Sequence, residues 1–260
     1  MTAILFAHTH KCAGTSMIKL FRSQEFISAP PQPAALPPYF FAAKELDDLA
    51  IARREFGAKG FESFWRYARR QGWNFVATEW IVPPVESLDL DLFTFTVLRD
   101  PFQRYLSNYH FDVRRGFTKA ESLWEYRDYR TFRKYNYFTR FFAGRPNNHD
   151  DQPLTEADLA TAKARLSAFS AVLVLEQPES LRQLTRVGID PDRLRNEKAH
   201  GGAKSYPEDF REHFMARAGF DYELYEHAAD LARRATEDPG PPVKLSAVPW
   251  RRKLRRALKR

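Results

Sequence analysis

Nine residues constrain this chain more than any others: His8-Thr9-His10-Lys11-Cys12-Ala13-Gly14-Thr15-Ser16, set between the apolar run Ala3-Ile4-Leu5-Phe6-Ala7 and the amphipathic Met17-Ile18-Lys19-Leu20-Phe21. A short run of large apolar residues reads as a buried strand, and apolar positions 17, 18, 20 and 21 suit one face of a helix. The order is therefore strand, loop, helix. Gly14 lets a backbone come close to an anion, Thr15 and Ser16 bring hydroxyl donors, and the amides that open a helix point toward whatever the loop holds. Lys11 adds a full positive charge. These are the parts of a phosphate cradle, with an ordinary polar turn as the plain alternative. It is not the nucleotide-hydrolase loop, which places Lys after the second Gly of G-x-x-x-x-G-K-[ST]. Here Lys precedes the only Gly.

The rest of the chain reads as repeated strand and helix. Trp73 to Thr78 predicts a second strand that delivers Glu79 into a loop stopped by Pro83-Pro84, and Leu92 to Leu98 predicts a third. After it, Asp100 and Pro101 stand where an N-cap and first helical residue belong. Ala171 to Leu175 predicts a fourth strand, and Thr155 with Asp158 opens a helix reaching Phe169 in the pattern of a capping box. The first helix is expected to end near Glu25 or Phe26, and two more are expected over Lys44 to Glu55 and Phe61 to Arg70. This alternation is that of an α/β fold, in which ligands sit outside the carboxyl ends of the strands. Glu79 and Arg99 then face the same crevice as the loop, with Ser107 in the helix that follows Arg99. An Arg and a hydroxyl so placed can share an anion. A Glu paired with a nearby Arg, and an Arg99-Asp100 pair tying a turn, are the structural alternatives.

Charge decides what the +8 net charge of the 260 residues means. Seven cations lie in the last ten residues, from Arg251 to Arg260, while residues 1–250 carry 34 basic and 33 acidic groups. The body is nearly neutral, so basicity belongs to a tail and nucleic acid is not an expected partner. Such a tail suits an anionic membrane surface or an acidic polymer, with a solvated end as the alternative. The single Cys12 precludes an internal disulfide, and the seven His residues show no paired metal-ligand spacing, so no metal is expected. With no run of about 20 apolar residues, a cytoplasmic protein is expected, peripheral at a membrane if the tail engages one. Ala29 to Pro38 is a stiff Pro-rich connector.

Two segments together carry a resemblance. His8 to Ser16 resembles the H-x-P-K-[TC]-[GA]-G-T-S loop of the carbohydrate sulfotransferases, and Leu98-Arg99-Asp100-Pro101-Phe102-Gln103-Arg104-Tyr105-Leu106-Ser107 is similar to their L-R-D-P-x-x-R-x-x-S element. The likeness continues through Asn136-Tyr137-Phe138-Thr139-Arg140, through Val172 to Gly188 with Glu176 and Ser180-Leu181, and through Phe220-Asp221-Tyr222-Glu223-Leu224-Tyr225. The group holding the heparan sulfate 2-O and chondroitin sulfotransferases is the nearest in pattern. The resemblance implies a P-loop-containing nucleotide hydrolase-like fold, a three-layer sandwich around a mainly parallel sheet with extra helices. It makes residues 1–240 one sulfotransferase domain followed by the basic tail, 241–260. It implies sulfuryl transfer from 3′-phosphoadenosine 5′-phosphosulfate to a hydroxyl of a carbohydrate or glycan acceptor, without a metal. Lys11, Cys12, Ala13, Gly14, Thr15 and Ser16 would hold the 5′-phosphate side, Lys11 would meet charge on the leaving group, and Arg99 with Ser107 would hold the 3′-phosphate.

Two departures stand out. His10 replaces the family's Pro before Lys, and Thr78-Glu79 stands where many relatives carry Gly-His with His as base, so Glu79 becomes the expected base and His8 and His10 its competitors. The aromatic and Arg-rich stretch Phe111 to Arg145 suits a saccharide acceptor or, equally, helix packing. Residues Arg195 to Lys204 align with a loop that closes over the nucleotide in the resembling enzymes. A P-loop small-molecule kinase and a non-catalytic basic binding module are the alternatives. The first lacks G-K-[ST], and the second lacks a basic body.

Overall fold

A computed structural model describes residues 2–29, 65, 68–69, 72–79, 82, 84–87, 90–126, 135–145, 152–194 and 206–245. The Pro-rich connector beyond Ala29, the expected helix over Lys44 to Glu55, most of Phe61 to Arg70, the Arg195 to Lys204 segment and the basic run at the C-terminus lie outside these residues.

Four strands form one sheet in the order β2-β1-β3-β4: β1 (Ala3–His8), β2 (Phe75–Glu79), β3 (Leu92–Leu98) and β4 (Ala171–Val174). Every pair is parallel, with Ile4 opposite Phe75 on one side and Phe93 on the other. A parallel sheet must be covered on both faces, and the sequence supplies the cover. On one face Phe6 stacks on Phe95 at 4.5 Å, and Phe21 from the helix after β1 stacks on Phe75 and Phe95 at 4.8 and 4.9 Å. On the other, Ala3, Leu5 and Val76 pack with the buried Trp65 and Ala68. Those two, with Arg69, are the described part of the expected helix over Phe61 to Arg70. The molecule is thus an α/β fold with a central parallel sheet between helices, the P-loop-like arrangement.

The helices, in chain order, are α1 (Gly14–Arg22), α2 (Pro101–Arg114), α3 (Leu123–Tyr126), α4 (Tyr137–Phe142), α5 (Glu156–Ser167), α6 (Glu208–Arg217) and α7 (Gly219–Glu237). Their starts follow the local chemistry. Asp100 caps α2 by accepting from the Gln103 N–H at 2.8 Å, with Pro101 next. Thr155 and Asp158 form the full capping box of α5. Much of the aromatic middle of the chain is core rather than surface. Tyr105, Tyr126, Phe210 and Phe214 are buried together, with Trp124 and Tyr135 packed against them.

Some bounds differ from the expected ones. α1 stops at Arg22, where Ser23 turns back and donates into the last turn: its N–H donates to Lys19 O at 2.9 Å and its hydroxyl to Leu20 O at 2.7 Å. β2 starts two residues late, because the Asn74 side chain ties down another segment, accepting from Ser28 N–H at 2.7 Å and donating to Phe26 O at 2.9 Å. It runs on to Glu79, which pairs with His8. α5 is shorter than expected and ends at Ser167. β4 ends at Val174, and its outer edge is covered by side chains from a 3-10 segment, Pro178–Val187. Ser180 bonds both the N–H and C=O of Val174, and Gln183 does the same for Val172. Side chains thereby stand in for a fifth strand and close an edge open to pairing.

Beyond α7 the chain returns to the body. Val243 N–H bonds Arg186 O at 2.7 Å, and Leu245 forms a bridge with Thr2 at the entry of β1. Among the described residues no helix is long and apolar enough to cross a membrane.

Candidate active site

The strand order reverses between β1 and β3, since β1 is followed by β2 on one side and then by β3 on the other. In open parallel sheets the crevice at such a reversal, at the carboxyl ends, is where ligands bind. The two segments that leave those ends are residues 9–13, after His8, and Arg99-Asp100, after Leu98. Glu79, the last residue of β2, lies opposite His8 in the register. By backbone position, the loop, Arg99 and Glu79 therefore all lie at the carboxyl ends of neighbouring strands. Ser107, half-buried, lies two turns into α2.

The loop has an unusual backbone. Lys11 and Ala13 both adopt left-handed φ values, 66° and 57°, although neither is glycine. Such conformations cost about 1–3 kcal/mol each and persist only where neighbours fix them. Here the Thr9 hydroxyl donates to Val97 O, anchoring the loop to β3. The Cys12 N–H reaches Thr9 O at 3.4 Å and its thiol reaches His10 O at 3.6 Å. The His10 N–H bonds the Tyr137 hydroxyl at 2.9 Å. With Ala13 left-handed at the N-cap, α1 begins with no side-chain cap and no acidic residue in its first turn; its first intrahelical bond runs from Met17 N–H to Ala13 O. The amides of Gly14, Thr15 and Ser16 are thus left for something outside the helix, at the positive end of its dipole. Alternating left- and right-handed residues that turn successive N–H groups to one side form an anion nest.

Gly14 is required by space. A Cβ there would lie 1.7 Å from His8 Nε2 and 2.0 Å from His8 Cδ2, because the imidazole lies directly against the Gly14 Cα. The same ring stacks on Phe6 at 5.4 Å. The constraint comes from the chain's own His8, beside whatever Gly14 allows a ligand.

Charge around the loop is positive. Lys11 Nζ sits 4.0 Å over the Phe111 ring of α2, a ring that also meets the His10 imidazole edge-on at 6.2 Å. Arg104, 1% exposed, lays its guanidinium 4.3 Å over the Tyr137 ring. Burial pushes the Cys12 thiol up to about 12, against the pull of a hydrogen bond with Thr9 and of the Arg104 and Arg99 charges. The Cys12 side chain is therefore a buried neutral group packed in the main core, and what it offers a ligand is backbone. The Arg104 and Arg99 charges both act on Cys12, opposed by the Glu176 carboxylate.

Three contributors were not legible in the sequence. Phe111, Arg104 and Tyr137 reach the loop from 100, 93 and 126 positions beyond Lys11, and no local pattern announces them. The sequence marks Arg104 and Tyr137 only as members of segments that carry the resemblance, and Phe111 only as the start of the aromatic and Arg-rich stretch. Of the cationic residues expected at a saccharide site, Arg114 and Arg115 are exposed at the end of α2, while Arg140 is buried and donates to Gln152 O at 3.1 Å. Arg127, Tyr129, Arg130 and Arg133 lie outside the described residues. Among the described residues no three His, Cys, Asp or Glu side chains cluster as a metal site would need.

A model described as the Sulfotransferase family matches residues 2–167, which takes in the loop, all of α2 and the first three strands. No curated protein matches the chain.

Proposed function

Because the chain belongs to the sulfotransferase family and so transfers sulfuryl groups, we propose that its donor is 3′-phosphoadenosine 5′-phosphosulfate and its acceptor a carbohydrate hydroxyl. The observation that carries the reading is the uncapped start of α1 at the strand-order reversal, flanked by Lys11 and by Arg99. An adenine nucleotide with phosphates at both the 3′ and 5′ positions fits that arrangement. The amides of Gly14, Thr15 and Ser16, with the two hydroxyls, suit the 5′-phosphate. Arg99 and Ser107, leaving the neighbouring strand, suit the 3′-phosphate, where a guanidinium forms charge-assisted bonds.

When bound, the donor supplies the sulfuryl group; the chain's residues position and neutralise. Transfer forms a bond from acceptor oxygen to sulfur, breaks the bond from sulfur to the phosphate oxygen, and needs the three atoms nearly in line. Lys11 meets the negative charge that gathers on the leaving oxygen. Glu79 takes the proton of the acceptor hydroxyl, a task worth about 10²- to 10⁴-fold in rate. Its place at the end of β2, beside His8, supports this assignment. The exposed Arg115, which shares the Phe111 ring with Lys11, and the exposed Arg114 before it support an acceptor that carries its own anionic groups. The basic run Arg251 to Arg260 is the part suited to an anionic membrane surface.

The test is ligand discrimination. 3′-Phosphoadenosine 5′-phosphate should raise the unfolding temperature and ATP with magnesium should not. Arg99→Ala should weaken binding of 3′-phosphoadenosine 5′-phosphate by about 1.5–3 kcal/mol while leaving adenosine 5′-phosphosulfate, which lacks the 3′ group, nearly unaffected. Equal losses for both would remove Arg99 from the 3′-phosphate site. A response to ATP with magnesium alone would favour a kinase.

A further inference from the structure

We infer that the C-terminal part of the chain sets the shape of the donor loop, with Asp221 as the keystone and Tyr137 as the contact that reaches the loop. The inference rests on reading residues 9–16 as the donor site.

A loop with two left-handed non-glycine residues needs restraints from outside itself. The bonds made by Thr9 and Cys12 come from the adjoining strand or from the loop. The His10 N–H is held differently, by a hydroxyl 127 residues further on, and His10 immediately precedes the left-handed Lys11. The position of that hydroxyl depends on α4, of which Tyr137 is the first residue. A helix of six residues does not stand alone in water. Its N-cap, Asn136, is itself left-handed at 59° and provides no side-chain cap.

The missing cap comes from α7. Asp221, fully buried, accepts from the Phe138 N–H at 3.1 Å, the Thr139 N–H at 2.8 Å and the Thr139 hydroxyl at 3.0 Å. Asn136 returns the favour to α7: its side-chain oxygen accepts from the Asp221 N–H at 3.0 Å, and its amide donates to Arg217 O at 3.0 Å, at the end of α6. Each helix start is thus capped by the other helix. Arg104 completes the unit, lying over the Tyr137 ring and adding its charge to the surroundings of both Asp221 and Cys12. Burial raises the Asp221 carboxyl above its usual range, opposed by those N–H bonds and by Arg104. The path therefore runs from α7 through Asp221 to α4, and from Tyr137 to the amide beside Lys11. It begins outside residues 2–167, the part that matches the family, so donor binding depends on a segment the family match does not include.

The experiment is calorimetric titration of the full chain with 3′-phosphoadenosine 5′-phosphate, beside thermal unfolding of the ligand-free protein. Tyr137→Phe removes one hydroxyl and should weaken binding about five- to tenfold, the loss of one hydrogen bond, with the unfolding temperature nearly unchanged. Asp221→Asn turns a donor toward the N–H groups of Phe138 or Thr139 and should weaken binding at least as much. The double variant should lose less than the product of the two, since both lie on one path. Wild-type affinity in Tyr137→Phe overturns the inference, as does an Asp221→Asn protein that is less stable yet binds normally. Should Asp221→Asn fail to fold, Tyr137→Phe decides alone. A wild-type chain that does not bind the nucleotide at all overturns the donor reading instead.

Discussion

At the scale of single residues, the site is a set of fixed distances with little room to give. Gly14→Ala places a methyl group inside the His8 ring, so the imidazole must leave its stack on Phe6. Overpacking of this kind costs about 1–3 kcal/mol. We expect a lower unfolding midpoint in denaturant and a loss of nucleotide binding, with both largely restored in His8→Ala/Gly14→Ala, where the ring is gone; a double variant no better than the single would show that the ring is not the obstacle. The base makes a second, independent prediction. Glu79→Gln keeps size but cannot accept a proton, so turnover should fall by about 10² or more with nucleotide affinity unchanged. Near-normal turnover there, with collapse in His8→Ala or His10→Ala, would move the base to the loop. Much of this scale was readable beforehand. Lys11, Gly14, Arg99 and Glu79 were singled out by type and spacing, and by backbone position all four lie at or just beyond the carboxyl ends of neighbouring strands. The spatial constraint on Gly14 was not readable, because a clash between residues six apart depends on how the left-handed turn folds the loop back.

Elements whose ends carry local chemistry were readable, and those fixed by distant partners were not. β3 spans Leu92–Leu98 as its run of large apolar and β-branched residues implies, and Asp100 with Pro101 starts α2. The start of β2 departs from expectation: Trp73 and Asn74 look compatible with a strand, whereas Asn74 is committed to Ser28 and Phe26 almost fifty residues earlier. The pairing of α4 with α7 through Asp221 and Asn136 is equally nonlocal. The capping box of α5 offers a test of the local kind. Thr155→Ala should cost about 1 kcal/mol of stability. Burial raises the Asp158 carboxyl, but the Thr155 N–H and hydroxyl and the Arg145 guanidinium, 3.1 Å away, outweigh it and hold the group below its usual 3.8. A depressed carboxyl contributes its stability above the unfolded value and loses it as the pH falls through the folded one. The stability gap between wild type and Asp158→Asn should therefore be full at neutral pH and close below pH 3.8. A gap that persists undiminished at lower pH would show that ionisation of Asp158 is not what stabilises the box.

On the scale of the whole molecule, the loop over residues 9–13 and the last described residues before the basic tail lie at opposite ends of β1. The loop leaves the carboxyl end of β1, whereas Leu245 is bound beside Thr2, where β1 begins. Deleting Arg251 to Arg260 should then leave nucleotide affinity unchanged while abolishing salt-sensitive binding to vesicles rich in phosphatidylserine. Nucleotide binding lost with the tail would join the two ends functionally. The central place of β1 has another consequence, for the order in which the molecule can be built. β1 is the first strand of the sheet to leave the ribosome, yet its neighbours are made some 70 and 90 residues later, as the pairings Ile4 to Phe75 and Ile4 to Phe93 record. An all-parallel sheet of such long reach folds slowly, because the entropy of closing large loops must be met before any pairing rewards it. Until β2 has been synthesised, β1 is an apolar strand with two unpaired edges, and it keeps one until β3 follows; the loop after it waits longer still, for the hydroxyl of Tyr137. During translation this apolar strand is thus exposed for longer than any other described strand of the sheet.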